Sequence, residues 1–122
     1  MNINNDPDCL FCKIVAGEIP SEQVYSDEQI FVFKDINPKA AVHLLIVPRE
    51  HIISINELEE QHDSLVAHIM RSLPKIAKEQ GLENGFRTVI NTGSGGGQLV
   101  FHLHFHLLGG EGLSGAGFSR AV

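Results

Sequence analysis

Residues 102–108 read HLHFHLL, so histidine and apolar residues alternate over most of this stretch. Successive side chains of a β-strand point to opposite faces of a sheet. A strand at this position therefore places three imidazoles on one face and three apolar side chains on the other. We predict a half-buried strand whose apolar side faces the core and whose second side carries chemically active groups.

A glycine-rich segment, residues 93–97, comes shortly before that strand. Glycine allows positive φ and close approach of the backbone to a ligand, which suits phosphate oxygens held by main-chain N–H groups, although an ordinary hairpin turn has the same composition. The three histidines leave three interpretations open: a polar strand face, a metal site, or one nucleophilic imidazole whose neighbours fix its tautomer. The adjoining glycines favour the last interpretation.

The rest of the chain supplies further strands and two helices. Apolar residues at helical spacing predict a short helix over residues 10–16 and a long amphipathic helix from Asn56 to Gly81, in which Pro74 should cause a kink. Runs rich in β-branched and aromatic residues predict the other strands, at 23–25, 30–33, 42–47 and 86–91. The expected fold is an α+β domain, a five-stranded antiparallel meander sheet with one short and one long helix packed on it.

Size and charge limit what the chain can do. Its 122 residues, 43% of them hydrophobic, suffice for one domain, which we place at residues 9–110 between a flexible N-terminal arm, 1–8, and a C-terminal tail, 111–122. The net charge of −6 argues against nucleic acid as a partner but not against a single nucleotide, which backbone N–H groups and imidazoles can hold. The sequence shows neither a membrane span nor a secretory signal, so we expect a cytoplasmic location and no membrane partner.

The only two cysteines, Cys9 and Cys12, are separated by two residues. A disulfide across so short a gap would stabilise the fold very little, because the gain grows with loop length. In a cytosolic chain this spacing indicates metal or redox chemistry, while a pair of reduced, partly buried thiols is the simpler interpretation.

The stretch 91–110, NTGSGGGQLVFHLHFHLLGG, resembles the signature of the histidine triad (HIT) superfamily, in which histidines alternate with apolar residues. The closing Leu108-Gly109-Gly110 is similar to the Hint branch, the purine nucleoside phosphoramidase type, rather than to the Fhit branch. Weaker matches extend the resemblance over nearly the whole chain, at FCKI (11–14), EIP (18–20), FKDINP (33–38), His43 and PREHI (48–52).

The resemblance implies a hydrolase that cleaves a bond at the α-phosphate of a purine nucleotide of the AMP or GMP type. In such a mechanism His104 attacks the phosphorus, and water then hydrolyses the nucleotidyl-histidine intermediate without any cofactor. His106 would bond a phosphate oxygen, His102 would support the site, and His43 would help to protonate the leaving group. His43 could also be a buried histidine that is satisfied by the backbone.

The resemblance also implies a set of nucleotide contacts. Asp35 would accept the ribose hydroxyls, although a turn-capping role is its ordinary explanation. The apolar members would form a slot for the base, and without the family they would be core. The full set is Phe11, Ile14, Phe33, Asp35, Ile36, Asn91, Gly97, Gln98, Leu99, His104 and His106.

One position departs from the family pattern, and one metal site is implied. Leu99 stands where Hint proteins commonly carry a serine, and leucine cannot donate a hydrogen bond to the leaving group. Some triad proteins carry a similar Cys-x-x-Cys, which implies a structural zinc held by Cys9, Cys12, His51 and His102.

A homodimer is also expected from the resemblance. Three functions remain open beside the phosphoramidase: a nucleotide-binding regulator with incidental hydrolysis, a dinucleotide polyphosphate hydrolase, and a zinc hydrolase with the triad as ligands.

Overall fold

The computed structural model describes residues 6–111, so most of the expected arm and tail lie outside the described residues. Two helices and five strands follow in the order α1 (Leu10–Val15), β1 (Gln23–Ser26), β2 (Ile30–Lys34), β3 (Val42–Pro48), α2 (Asp63–Glu79), β4 (Arg87–Val89) and β5 (Phe105–Gly109). Single turns of 3-10 helix occur at Ile55–Glu57, Glu60–His62 and Ser94–Gly96. Between residues 6 and 111 no helix is both long and apolar enough to cross a membrane.

All neighbouring strands are antiparallel, in the spatial order β1-β2-β3-β5-β4. The predicted α+β architecture is confirmed, but the simple meander is wrong for the last two strands, because β5 lies between β3 and β4. Burial explains this order. Most of β5 is buried, whereas the three residues of β4 are half-buried or exposed, so the more apolar strand takes the interior position.

The two faces of the sheet bury different helices. Residues such as Val32, Leu44 and Ile46 pack with α2 on one face. Their neighbours Phe33 and Leu45 pack with α1 on the other. Strands β2 and β3 are therefore buried on both sides, which explains their nearly continuous apolar sequences.

The long helix begins later than its apolar pattern predicts. Ser54 accepts a hydrogen bond from the Asn56 N–H and caps a 3-10 turn, and Leu58 then returns to an extended conformation, so the α-helix starts only at Asp63. It continues through Pro74 to Glu79, and Gly81 follows with a positive φ of 80°. The apolar residues of 55–62 thus belong to a separate segment, in which Leu58 packs against the core and Ile55 is exposed.

Candidate active site

The three histidines of the triad do not all lie in the same strand. His106 lies within β5, opposite Leu45, whereas His102 and His104 lie in the segment before the strand. The predicted start of the strand at residue 102 is therefore wrong. The chain there pairs with residues beyond β3 instead, since the Leu103 N–H donates to the Ile52 carbonyl over 2.6 Å.

The predicted alternation of side chains is nevertheless observed. The apolar residues of this stretch, Leu103, Phe105 and Leu107, join the core beneath α2. The rings of His102 and His104 contact Phe11 of α1, with the His104 ring centroid 5.0 Å from that of Phe11. The histidines thus face the smaller helix.

The hydrogen bond of His104 defines which of its nitrogens is nucleophilic. Its Nδ1 lies 2.7 Å from the main-chain carbonyl oxygen of His102, and a carbonyl can only accept. Nδ1 therefore carries the proton, and the lone pair of the neutral ring is on Nε2. Burial lowers the pKa of His104, which keeps the ring neutral at neutral pH.

His106 and His43 form a second pair beside the nucleophile. His43 Nε2 lies 2.9 Å from His106 Nδ1, and the ring of His106 is 5.1 Å from that of His104. Burial lowers the pKa of both residues, that of His106 to about 4, so both are neutral near pH 7. A carboxylate oxygen of Asp35 lies 3.4 Å from His43 Nε2.

The carboxylate of Asp35 also supports the turn after β2. Its Oδ1 accepts the Asn37 N–H over 2.8 Å, which confirms the turn-capping interpretation. The second oxygen, Oδ2, is the one that faces His43, and the side chain is 19% exposed. One carboxylate thus serves the turn and remains reachable from the site.

The apolar side chains of the expected base slot divide into two groups. Phe11, Ile14 and Phe33 are buried in the core under α1, as the simpler interpretation expects. Ile36 is 89% exposed at the tip of the turn after β2. Of these four side chains, only Ile36 lies outside the core.

The glycine segment is bonded to the buried side chain of Gln98. This buried amide accepts the Gly93 N–H over 2.8 Å and donates to the carbonyls of Ile53 and Val100. The family resemblance assigns Gln98 to ligand contact, whereas its side-chain atoms bond within the protein, which favours a positioning role. Both Gly93 and Gly97 have positive φ, 72° and 88°, which explains the glycines.

Two more of the expected contacts border this segment. A Cβ placed on Gly97 would lie 3.9 Å from Asn91 Cγ, so the Asn91 side chain packs beside that glycine. Leu99 is 89% exposed, an unusual exposure for a large apolar residue. The structure thus places an unburied leucine two residues after Gly97.

A cluster of two thiols and two imidazoles lies next to the triad. The four ligand atoms of Cys9, Cys12, His51 and His102 all lie within 4.8 Å of one another. Each cysteine Sγ is 3.3–3.5 Å from an imidazole Nδ1, and the two Nδ1 atoms are 3.2 Å apart. Ligands bound about 2.0–2.3 Å from a tetrahedral zinc are separated by about 3.3–3.8 Å, so this donor set fits zinc.

The orientation of His102 strengthens that fit. Its Nε2 lies 2.8 Å from the Pro48 carbonyl and must donate there, which leaves the Nδ1 lone pair directed at the cluster. The sulfur atoms accept main-chain N–H bonds, Cys9 from Cys12 and Cys12 from Asp6. Such bonds stabilise thiolates.

Sequence reasoning missed three main-chain groups that orient these rings. They are the carbonyls of Pro48 and His102 and the N–H of Lys39, which lies 3.1 Å from His43 Nδ1. Every residue type carries such groups, so a single sequence contains no signal for them.

Comparisons with known proteins agree with this arrangement. The family model described as "Scavenger mRNA decapping enzyme C-term binding" matches residues 8–117. Protein HitA of Neisseria gonorrhoeae is 52% identical over 101 residues, which cover 83% of this chain and 94% of that protein. A 14 kDa zinc-binding protein of Zea mays is 42% identical over 109 residues, which cover 88% of this chain and 85% of that protein.

Solved structures are similar over the same region. A HIT family hydrolase from Legionella pneumophila Philadelphia 1 has a TM-score of 0.83 at 50% identity and covers 85% of this chain and 94% of its own. A histidine triad nucleotide-binding protein from Candida albicans has a TM-score of 0.69 at 33% identity, with coverage of 82% and 73%. The open five-stranded sheet and its row of histidines define a histidine triad domain. The chain belongs to the HIT superfamily, as its motifs indicated.

Proposed function

We propose that this protein is a nucleotide hydrolase of the Hint branch that cleaves a bond at the α-phosphate of a purine nucleotide, in a nucleoside phosphoramidate or a similar compound. The single observation that carries the proposal is the hydrogen bond from His104 Nδ1 to the His102 carbonyl. It fixes the ring and leaves Nε2 as a free, neutral nucleophile.

The reaction would proceed in two displacements. In the first, His104 Nε2 forms a bond to the α-phosphorus, the bond from phosphorus to the leaving group breaks, and that group leaves with a proton supplied through the His43–His106 pair. In the second, water attacks the phosphorus and gives a proton back to that pair, the P–Nε2 bond breaks, and the nucleoside monophosphate leaves. His106 would donate to a phosphoryl oxygen, and the buried His43 would act through His106, which it bonds over 2.9 Å.

The nucleotide would lie between the turn after β2 and the glycine segment. Asp35 Oδ2 remains available to ribose hydroxyls, Ile36 would cover the base above the buried Phe11 and Phe33, and the backbone at Gly97 would approach the phosphate. This assignment rests on the exposure of these groups and on the resemblance. Similarity to a protein named as nucleotide-binding supports it.

The test is detection of the covalent intermediate. Protein quenched during turnover of adenosine 5′-phosphoramidate should carry a nucleotidyl adduct on His104 by mass spectrometry, and His104→Ala should lose both adduct and turnover. His68→Ala, a histidine on α2, is the matched control and should retain them. Undiminished turnover by His104→Ala overturns the proposal.

A nucleotide-binding regulator with incidental hydrolysis is the second candidate, favoured by the exposed Leu99. Leucine offers no donor to a leaving group, which would slow the first displacement. Tight binding of AMP together with negligible turnover of both phosphoramidates and dinucleotide polyphosphates would identify this function. Faster turnover of the dinucleotides would identify a dinucleotide polyphosphate hydrolase.

We also propose that Cys9, Cys12, His51 and His102 hold a structural zinc. When bound, the ion would have all four positions filled by protein ligands and none by water. It would cross-link the start of α1 to the segments after β3 and before β5. Burial raises the pKa of Cys12 to about 11, so uptake of the metal should release protons. A thiolate centre of this kind persists in a reducing compartment, consistent with a cytoplasmic location.

Metal analysis tests the zinc proposal independently of activity. Protein purified without chelators should contain about one zinc per chain, and Cys9→Ser with Cys12→Ser should contain almost none. Wild-type protein with well under one zinc contradicts it. A zinc hydrolase that uses the triad as ligands is disfavoured, because His102 directs Nδ1 at the thiols and donates through Nε2 to the Pro48 carbonyl, so neither of its nitrogens is left for a site shared with His104 and His106.

A further inference from the structure

A directed series of hydrogen bonds begins at the main chain of Lys39 and ends at His106. The Lys39 N–H lies 3.1 Å from Nδ1 of His43. Nε2 of the same ring lies 2.9 Å from Nδ1 of His106. Three groups on two strands and one turn are thereby connected.

The first member of the series determines the protonation of the others. A backbone amide can only donate, so Nδ1 of His43 must accept, and a neutral His43 must carry its proton on Nε2. That N–H then donates to Nδ1 of His106, which leaves the proton of His106 on Nε2. The reverse direction would require Nδ1–H of His43 to face the Lys39 N–H, two donors 3.1 Å apart.

We propose that the main-chain N–H of Lys39 sets the tautomers of His43 and His106, so that His106 presents an N–H to the ligand. A phosphoryl oxygen accepts hydrogen bonds, and a ring lone pair in the same place would repel it. Lys39 is therefore a positioning residue through its amide, and its ammonium group is not required. Donation from the His106 N–H to a phosphoryl oxygen rests on the proposed function, whereas the assignment of the two tautomers does not.

The same amide opposes protonation of His43. The carboxylate of Asp35 lies 3.4 Å from Nε2 of His43 and would favour an imidazolium. An imidazolium carries protons on both nitrogens, and its Nδ1–H would meet the Lys39 N–H. His43 therefore stays neutral, with Nδ1 accepting from Lys39 and Nε2–H donating to His106.

The turn that holds the amide is itself well supported. Asp35 accepts the Asn37 N–H through Oδ1 and donates its own N–H to the His43 carbonyl over 3.0 Å. Pro38 restricts the backbone directly before Lys39. The position of the Lys39 N–H is thus determined by the strand that carries His43 and by a capped turn.

Nitrogen NMR of the imidazole rings tests the proposal on the wild-type protein. At neutral pH, two-bond proton–nitrogen spectra of ¹⁵N-labelled protein should show His43 and His106 protonated at Nε2, with His106→Gln used for assignment. His104 is an internal control, because it should show the opposite tautomer, protonated at Nδ1. A His106 ring protonated at Nδ1 overturns the proposal.

A pair of variants then separates the amide from the side chain. Lys39→Pro removes the N–H, and Lys39→Ala keeps it. We expect Lys39→Pro to give mixed His106 tautomers and a kcat reduced about tenfold to a hundredfold with a smaller change in KM, and Lys39→Ala to match wild type.

The outcomes distinguish this inference from the proposed function. Unchanged tautomers in a folded Lys39→Pro variant contradict the inference. If that variant does not fold, the wild-type spectrum decides alone. Absence of turnover in the wild type, together with the expected tautomers, would contradict the proposed function and leave the role of Lys39 intact.

Discussion

Four histidines of one small site differ in the groups that their ring nitrogens contact. His102 donates to the Pro48 carbonyl, and His104 donates to the carbonyl of His102 itself. His43 accepts from an amide, and its other nitrogen bonds His106. At the scale of the residue, the chemistry available to each imidazole follows from these bonds, because they select the nitrogen that keeps a lone pair.

Burial of neutral histidines makes the stability of the fold depend on pH. The pKa of His43 is lowered, and that of His106 is lowered to about 4, mainly by burial. Both groups titrate near ~6.5 in the unfolded chain. Above that pH both states are neutral. Between ~6.5 and about 4 the unfolded chain binds a proton at His106 that the folded protein does not, and the lowered pKa of His43 acts in the same direction, so stability should fall as the pH drops.

Urea denaturation from about pH 7.5 to about pH 5 measures this effect above the range in which most carboxylates titrate. The midpoint should decrease with acidification, and His106→Gln should show a shallower decrease. Equal pH dependence in the two proteins would assign the effect to other groups.

At the scale of elements, α1 depends on its surroundings. A helix of six residues is too short to be stable in water alone. Its start is capped by the Cys9 sulfur, which accepts the Cys12 N–H, and its buried face carries Phe11 and Ile14. The proposed zinc ligands Cys9 and Cys12 thus hold the helix that covers the site.

Removal of zinc should therefore loosen α1 selectively. We expect a chelator to accelerate amide hydrogen exchange in residues 10–16 by more than tenfold, while α2, packed on the opposite face, keeps its protection. Equal exchange rates in α1 with and without chelator would show that the stability of the helix does not depend on zinc.

The second helix contains a proline that the fold tolerates at a cost. Pro74 lies inside α2, exposed to solvent, and lacks the N–H that would bond the carbonyl four residues earlier. Pro74→Ala should stabilise the protein by about 1–2 kcal/mol. The restored helical hydrogen bond and the higher helix propensity of alanine outweigh the loss of proline's restriction of the unfolded chain. The control is Lys75→Ala, on the same exposed surface, which should change the unfolding midpoint little. A Pro74→Ala variant less stable than wild type would contradict the prediction and show that Pro74 does not destabilise the folded protein.

At the scale of the whole molecule, the two faces of the sheet have different roles, since one carries most of the core and the other the candidate site. The face under α2 carries the larger core, and the face under α1 carries the histidines, the thiols and the turn after β2. Alternation along single strands serves both faces, so Leu103 and Phe105 anchor the segment that presents His102 and His104. A change of register by one residue would exchange core and site.

The open edge at β4 leads to a prediction about assembly. A strand at the edge of a sheet leaves backbone groups available for pairing with another chain, and the family resemblance implies a homodimer. Light scattering should therefore give the mass of two chains of 13.4 kDa each. Thr88→Pro, in β4, should shift that mass toward one chain, and a monomeric wild type would contradict the expected homodimer.

The sequence by itself determined most of the elements and the family of this protein. Alternation in residues 102–108 placed the histidines on one face, helical spacing indicated both helices, and the spacing of Cys9 and Cys12 indicated metal or redox chemistry, because these patterns are local. Tertiary structure decided the order of β4 and β5, the later start of α2 and the inward turn of Gln98. Those features depend on burial and on main-chain groups such as the Lys39 N–H, which meet their partners only when distant segments are packed together.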